Sequence, residues 1–149
     1  MVKIGFTTSS KLSPEKLLNY ILDFEYYTNY FPLQIKDVRI TKKEGNEITT
    51  EEKIVFSTLV KKVITQKSLH KKISDNELVT EIIDGPAKGS IVNIICNRID
   101  SGSEIKFVVD LKLSLKAKFL QPFIKKLYKR YLMALILKIN NRELEKQTK

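Results

Sequence analysis

Apolar and polar residues change their period twice along this chain, and the changes mark its elements. Residues 3–9 alternate, with Val2, Ile4, Phe6 and Thr8 on one side, as a half-buried strand does. Ser13-Pro14-Glu15-Lys16 then reads as a helix start. Ser13 can cap, Pro14 suits the first helical position, and Lys16 stands where a complete capping box would place Glu or Gln. Leu17, Leu18, Tyr20, Ile21 and Leu22 give this short helix an apolar face. Asp23 is placed to cap a second short helix, Phe24 to Tyr30, which ends before Pro32 because a residue preceding proline disfavours helical backbone.

From Ile35 to about Leu115 the period is two. Six strands are predicted: Ile35 to Lys42, Ile48 to Phe56, Val60 to Ile73, Leu78 to Ile83, Gly89 to Ile99 and Glu104 to Leu115. Turn residues separate them, among them Glu44-Gly45-Asn46, Ser74-Asp75-Asn76, Asp84-Gly85-Pro86 and Asp100-Ser101-Gly102. Connections this short imply an antiparallel meander. The sixth strand is the most regular: Ile105, Phe107, Val109, Leu111, Leu113 and Leu115 share one face, which must be buried. A helix is then predicted from about Lys118 to Arg142, with Leu120, Phe123, Ile124, Leu127, Tyr128, Tyr131, Leu135 and Ile139 as its apolar stripe. Glu143 to Lys149 is expected to fray. The class that follows is α+β, with one long C-terminal helix laid on a curved antiparallel sheet, and residues 1–149 read as one domain.

Composition narrows the setting. One cysteine, Cys96, leaves no internal disulfide, and a small buried thiol is its expected role. Residues 1–6 lack the apolar run of a secretory signal. The most apolar late stretch, Tyr131 to Leu137, is far shorter than the roughly 20 residues of a membrane span, so a soluble cytoplasmic protein is expected. The net charge of +10 is unevenly placed. Residues 1–105 carry 15 Lys/Arg against 14 Asp/Glu, whereas residues 106–149 carry 12 against 3. Lys118, Lys125, Lys126, Lys129 and Arg130 therefore form a basic face on the last helix. It is either a solvated surface or a docking face for a ribosome or an anionic membrane. Leu132, Met133, Ile136 and Leu137 broaden the apolar band late in that helix, as a dimer contact or membrane-facing patch would. Specific DNA binding is not expected.

Several local patterns recur together. Ser13-Pro14-Glu15-Lys16-Leu17-Leu18, Asp23-Phe24-Glu25-Tyr26-Tyr27 and Phe31-Pro32 stand in series. Asp84-Gly85-Pro86-Ala87-Lys88-Gly89 and Ser101-Gly102-Ser103-Glu104-Ile105-Lys106-Phe107 follow at the later hairpins. In this order they resemble the helix-grip fold of the START-like (SRPBCC) superfamily, which includes the birch-pollen-allergen, polyketide cyclase and coenzyme Q-binding families. The Tyr26 to Pro32 segment is similar to the coenzyme Q-binding branch. The resemblance implies a cavity between sheet and C-terminal helix that holds a lipid, quinone, isoprenoid or polyketide, without a cofactor. In this chain its lining is expected from Phe56, Phe107, Val109 and Leu111 on the sheet and Phe123, Leu127 and Tyr131 on the helix. Phe24, Tyr27 and Phe31 are expected at its mouth. The competing reading of each is ordinary core packing.

Chemistry is sparse. His70 is the only histidine, so no histidine pair exists to hold a metal, and no metal site is expected. The face that carries Ile48, Ile54 and Phe56 also carries Glu52. The next strand presents Val60, Lys62, Ile64, Gln66, Ser68 and His70 on its less basic face. If these faces are inner ones, Glu52, Lys62 and His70 reach the cavity, where desolvation would tune them for proton transfer. Three functions remain open: a carrier or sensor of a hydrophobic molecule, a cyclase- or dehydratase-like enzyme using Glu52 or His70, and a docking protein acting through its basic helix.

Overall fold

The two-residue period is realised as one sheet. The computed structural model of the chain describes residues 2–55 and 63–148. Strand β1 (Val2–Ser10) leads into α1 (Pro14–Ile21), a 3-10 turn (Phe24–Tyr26) and α2 (Tyr27–Tyr30). The meander follows as β2 (Ile35–Glu44), β3 (Glu47–Val55), β4 (Val63–Ser74), β5 (Glu77–Asp84), β6 (Ile91–Ile99) and β7 (Gly102–Leu111). A 3-10 segment (Leu115–Leu120) then leads into α3 (Gln121–Thr148). All neighbours pair antiparallel in the order β1-β7-β6-β5-β4-β3-β2, so β1 returns to close the meander on β7. Bulges interrupt the β2–β3 and β4–β5 ladders, and each adds local twist that curves the sheet around its helical face. This is the α+β helix-grip architecture.

The core lies on the concave side. Ile105, Phe107, Val109 and Leu111 of β7 are buried opposite Val92, Ile94 and Cys96 of β6. Leu17, Leu18 and Ile21 of α1 and Leu132, Leu135, Ile136 and Ile139 of α3 close over them. Ser13 caps α1 by accepting from the Lys16 backbone N–H at 3.3 Å, with Pro14 in the first turn. At the β6–β7 turn Gly102 has φ +138°, and a Cβ there would collide with the Ser10 carbonyl oxygen and the Lys11 backbone.

The structure corrects the sequence at three places. Strand β7 ends at Leu111: its last pairs are Leu111 with Val2 of β1 and Asp110 with Ile91 of β6. Ser90 instead clasps Lys112, accepting from its N–H at 2.8 Å and donating to its carbonyl at 3.1 Å. Beyond that clasp Leu115 is 84% exposed, and Lys118 stands in the 3-10 segment rather than in the helix.

Helix α3 runs to Thr148, and Glu143 is buried where it accepts from Lys16 and from the Tyr20 hydroxyl. Asp23 makes no side-chain cap; its carboxylate takes Arg142 at 3.0 Å. Arg142 also donates to the Tyr30 hydroxyl at 3.0 Å and lies 3.5 Å from the Tyr26 ring centroid. No helix among the described residues is long and apolar enough to cross a membrane.

Candidate ligand site

The alternation of β3 sends Ile48, Thr50, Glu52 and Ile54 to one side, and the register with β4 places Ser68 opposite Thr50 and His70 opposite Ile48. Thr80 of β5 is paired directly with His70. Thr50, Ser68 and His70 are buried, so this is the inner face. The three strands thereby set a short polar row within an otherwise apolar wall. His70 Nε2 lies 2.8 Å from Thr50 Oγ1, and its Nδ1 lies 2.7 Å from Thr80 Oγ1. Thr50 Oγ1 donates to Glu52 Oε1 at 3.0 Å. The Phe24 ring stacks on the imidazole, with centroids 3.8 Å apart and planes 22° apart.

Burial acts oppositely on the two ionisable groups. It removes water from the imidazolium and pushes His70 down to about 3, so the ring is neutral at ordinary pH. It removes water from the carboxylate and pushes Glu52 up to about 7, against the opposing pull of the Ser68 and Thr50 hydroxyls. Glu52 Oε2 is buried and has no hydrogen-bond partner among the described residues.

A neutral imidazole has one N–H, and the Thr50 hydroxyl has one proton. With Glu52 ionised, Thr50 donates to it, His70 must donate from Nε2 to Thr50, and Thr80 donates to Nδ1. With Glu52 protonated the same row can run in reverse. The four side chains thus have two proton arrangements, one for each state of Glu52.

The helical side of the site is aromatic. Tyr131 of α3 packs on Phe31 with centroids 4.9 Å apart and on Tyr128 at 5.8 Å. Burial raises both tyrosines well above the usual phenol range, and the nearby Glu52 carboxylate adds to it. Tyr27 is buried, donates to the Ile21 carbonyl at 2.7 Å, and is likewise raised by burial. Phe24 and Phe31 are buried. Lys138 lies 4.8 Å from the Phe31 centroid.

The expected site residues are thus only partly gathered. Glu52, His70, Phe24, Phe31 and Tyr131 cluster. Phe107, Val109 and Leu111 are fully buried farther along the sheet, where Phe107 stacks on Phe6 at 4.8 Å. Leu127 is half-buried. Phe56 and Lys62 lie outside the described residues. Phe123 is corrected: it is 50% exposed, because Ile124 takes the inward direction and adjacent helical residues point about 100° apart. Lys118, Lys125, Lys126, Lys129 and Arg130 are all exposed, and Lys129 lies 5.5 Å from the Phe6 centroid. No group of acids, histidine and cysteine able to hold a metal occurs among the described residues. Sequence reasoning missed Thr50 and Thr80. Thr50 shares the two-residue period of Glu52, which was a signal in the sequence; the place of Thr80 beside His70 comes only from the β4–β5 register.

Neither a family model nor a curated protein matches this sequence. Solved structures do match its fold. The protein TTHA0849 from Thermus thermophilus is 13% identical, with 97% of this chain and 98% of that one covered at a TM-score of 0.80. The Zhui aromatase/cyclase from Streptomyces sp. R1128 is 10% identical, with 95% and 94% covered at 0.78. A START superfamily protein from Mycobacterium smegmatis is 17% identical, with 94% and 95% covered at 0.69. The chain has the helix-grip fold that START-like proteins and aromatase/cyclases share.

Proposed function

We propose that the chain binds a hydrophobic small molecule bearing a hydrogen-bonding oxygen, on the inner face of β3–β5 beneath α3. Oε2 of Glu52, which has no hydrogen-bond partner among the described residues, carries this reading. A buried carboxyl oxygen without a partner costs on the order of 1–3 kcal/mol, and the surrounding wall of Phe24, Phe31 and Tyr131 supplies apolar contact. A ligand hydroxyl could donate to ionised Glu52, and a ligand carbonyl could accept from the protonated form. A quinone, a hydroxylated isoprenoid or a polyketide meets that requirement, and a plain hydrocarbon chain does not. The fold shared with START-like proteins is consistent with such a ligand.

The same carboxyl favours one second reading. A group pushed up to about 7 is suited to proton transfer near neutral pH, so Glu52 is the candidate acid–base of a cyclase- or dehydratase-like reaction. His70, at about 3, would serve only to position Thr50.

Native mass spectrometry of protein purified from its own source tests the binding reading. The expected result is a retained lipophile containing oxygen, with retention falling about tenfold or more in Glu52→Leu, the worth of one hydrogen bond to a charged group. Protein that is empty as purified, and that takes up neither a quinone nor a prenyl alcohol, overturns it. Turnover of a bound polyketide mimic that Glu52→Gln abolishes would select the enzyme.

A further inference from the structure

The correction at Phe123 leaves an unexplained surface. Leu115, Phe119 and Phe123 are exposed at four-residue intervals where the chain leaves the sheet and starts α3, and Phe119 is 56% exposed. The exposed apolar row continues along α3. Met133 and Leu137 are exposed, the latter 59%, while the neighbouring Leu132, Leu135 and Ile136 are buried. Phe123, Arg130 and Leu137 are seven residues apart, two helical turns each, and therefore share the face turned away from the sheet. Side chains this large are not needed there for packing, and an apolar row left in water normally meets something.

The charge around the row says what. Residues 112–130 carry seven Lys/Arg and no Asp/Glu. Lys118, Lys125, Lys126, Lys129 and Arg130 are all exposed, and at about 100° per residue Lys126 and Arg130 fall within the apolar row. A second copy of the chain would bring the same charge against itself, which disfavours a symmetric helix pair. A purely polar polyanion such as RNA would match the lysines and leave the leucine and phenylalanines in water. An anionic bilayer answers both halves: apolar side chains enter the interfacial region, while the long lysine and arginine side chains reach the phosphates.

We propose that this chain docks on anionic lipid surfaces through the Leu115–Phe119–Phe123 knuckle and the outer face of α3, held by the surrounding basic residues. The proposal stands independently of whether the inner face of the sheet holds a ligand. Each basic residue near a charged bilayer contributes about a fivefold gain in partitioning, so three of them together contribute on the order of 100-fold. The contact is an interfacial one and reverses with salt.

Co-sedimentation of the whole protein with phosphatidylcholine vesicles, with or without about 30% phosphatidylserine, tests it. Binding is expected only to the anionic vesicles. The Lys118→Gln/Lys126→Gln/Arg130→Gln variant should lose about 100-fold. The Leu115→Ser/Phe119→Ser/Phe123→Ser variant should lose binding although every charge is kept. Equal pelleting of the latter and the native protein shows a polyanion site instead and overturns the proposal, as does pelleting with ribosomes but not vesicles. A self-association that buries Leu137 also overturns it.

Phe119→Trp covers the case of a poorly folding multiple variant. The chain has no tryptophan, so emission reports that one position. A blue shift on anionic vesicles is expected, and no shift at saturating lipid refutes the docking.

Discussion

Glu52 and His70 titrate abnormally in opposite directions, and this should hide the pH dependence of stability in the native protein. Folded Glu52 keeps its proton to about 7, whereas the unfolded group loses it near 4.5. The folded state therefore binds more protons between these values, and stability falls as pH rises through them. Folded His70 takes up no proton until about 3, whereas unfolded it ionises near 6.5. Here the unfolded state binds more protons, and stability rises with pH over the interval between 3 and 6.5. Each slope is about 1.4 kcal/mol per pH unit. Between pH 4.5 and 6.5 the two cancel, and the native curve should be nearly flat. Glu15 and Glu143, whose carboxyls are held low by hydrogen bonding, add their dependence only below that window.

Removing one partner exposes the other. In Glu52→Gln, His70 acts alone, and stability should climb by about 3 kcal/mol from pH 4.5 to 6.5. In His70→Gln, Glu52 acts alone, and stability should drop by about as much. Urea denaturation at four pH values across the window, with the m-value checked for constancy, reads both slopes directly. The substitutions shift the absolute stability as well, but packing losses do not vary with pH. A Glu52→Gln slope equal to that of the native protein would refute the reasoning, since the carboxyl would then ionise as it does in water.

Two further outcomes follow from the geometry. Nitrogen-15 NMR of the His70 ring should show the proton on Nε2 above about pH 8 and on Nδ1 below about pH 6, with a midpoint at about 7 set by Glu52; one tautomer throughout would mean that the row of hydroxyls does not transmit the change. Gly102→Ala should destabilise the protein by more than about 3 kcal/mol, because positive φ and a backbone collision act together, and thermal melting checks it.

Most of the architecture was legible because it rests on periods that local geometry imposes. Ile105, Phe107, Val109 and Leu111 announced a one-sided strand, and Ser13-Pro14 announced a helix start; both stand where expected. The end of that strand was not legible. Leu113 and Leu115 continue its pattern, yet β7 stops where its neighbours stop, and only pairing partners far away in sequence determine that.

The helical stripe was drawn too wide for a similar reason. Phe123 and Ile124 are equally apolar, and which of them turns inward depends on where α3 begins. The persistence of α3 past Arg142 depended on Tyr20 and Lys16, more than a hundred residues earlier in the chain. At the site, the inward direction of Glu52 could be read from Ile48 and Ile54. The hydrogen-bonded row could not, because it requires the register of β3, β4 and β5 together.

The anchors of α3 are concentrated at one end. Lys138, Arg142 and Glu143 tie its last turns to Tyr30, Asp23 and Tyr20, whereas its first turns present exposed lysines and Phe123. The helix is about 42 Å long; its last turns carry the polar clamp beside α1, and its first half is held by packing, with Ile124 buried and Tyr131 on Phe31. Arg142 alone joins Asp23, Tyr30 and Tyr26, so loss of that one side chain releases three contacts of the helix end together.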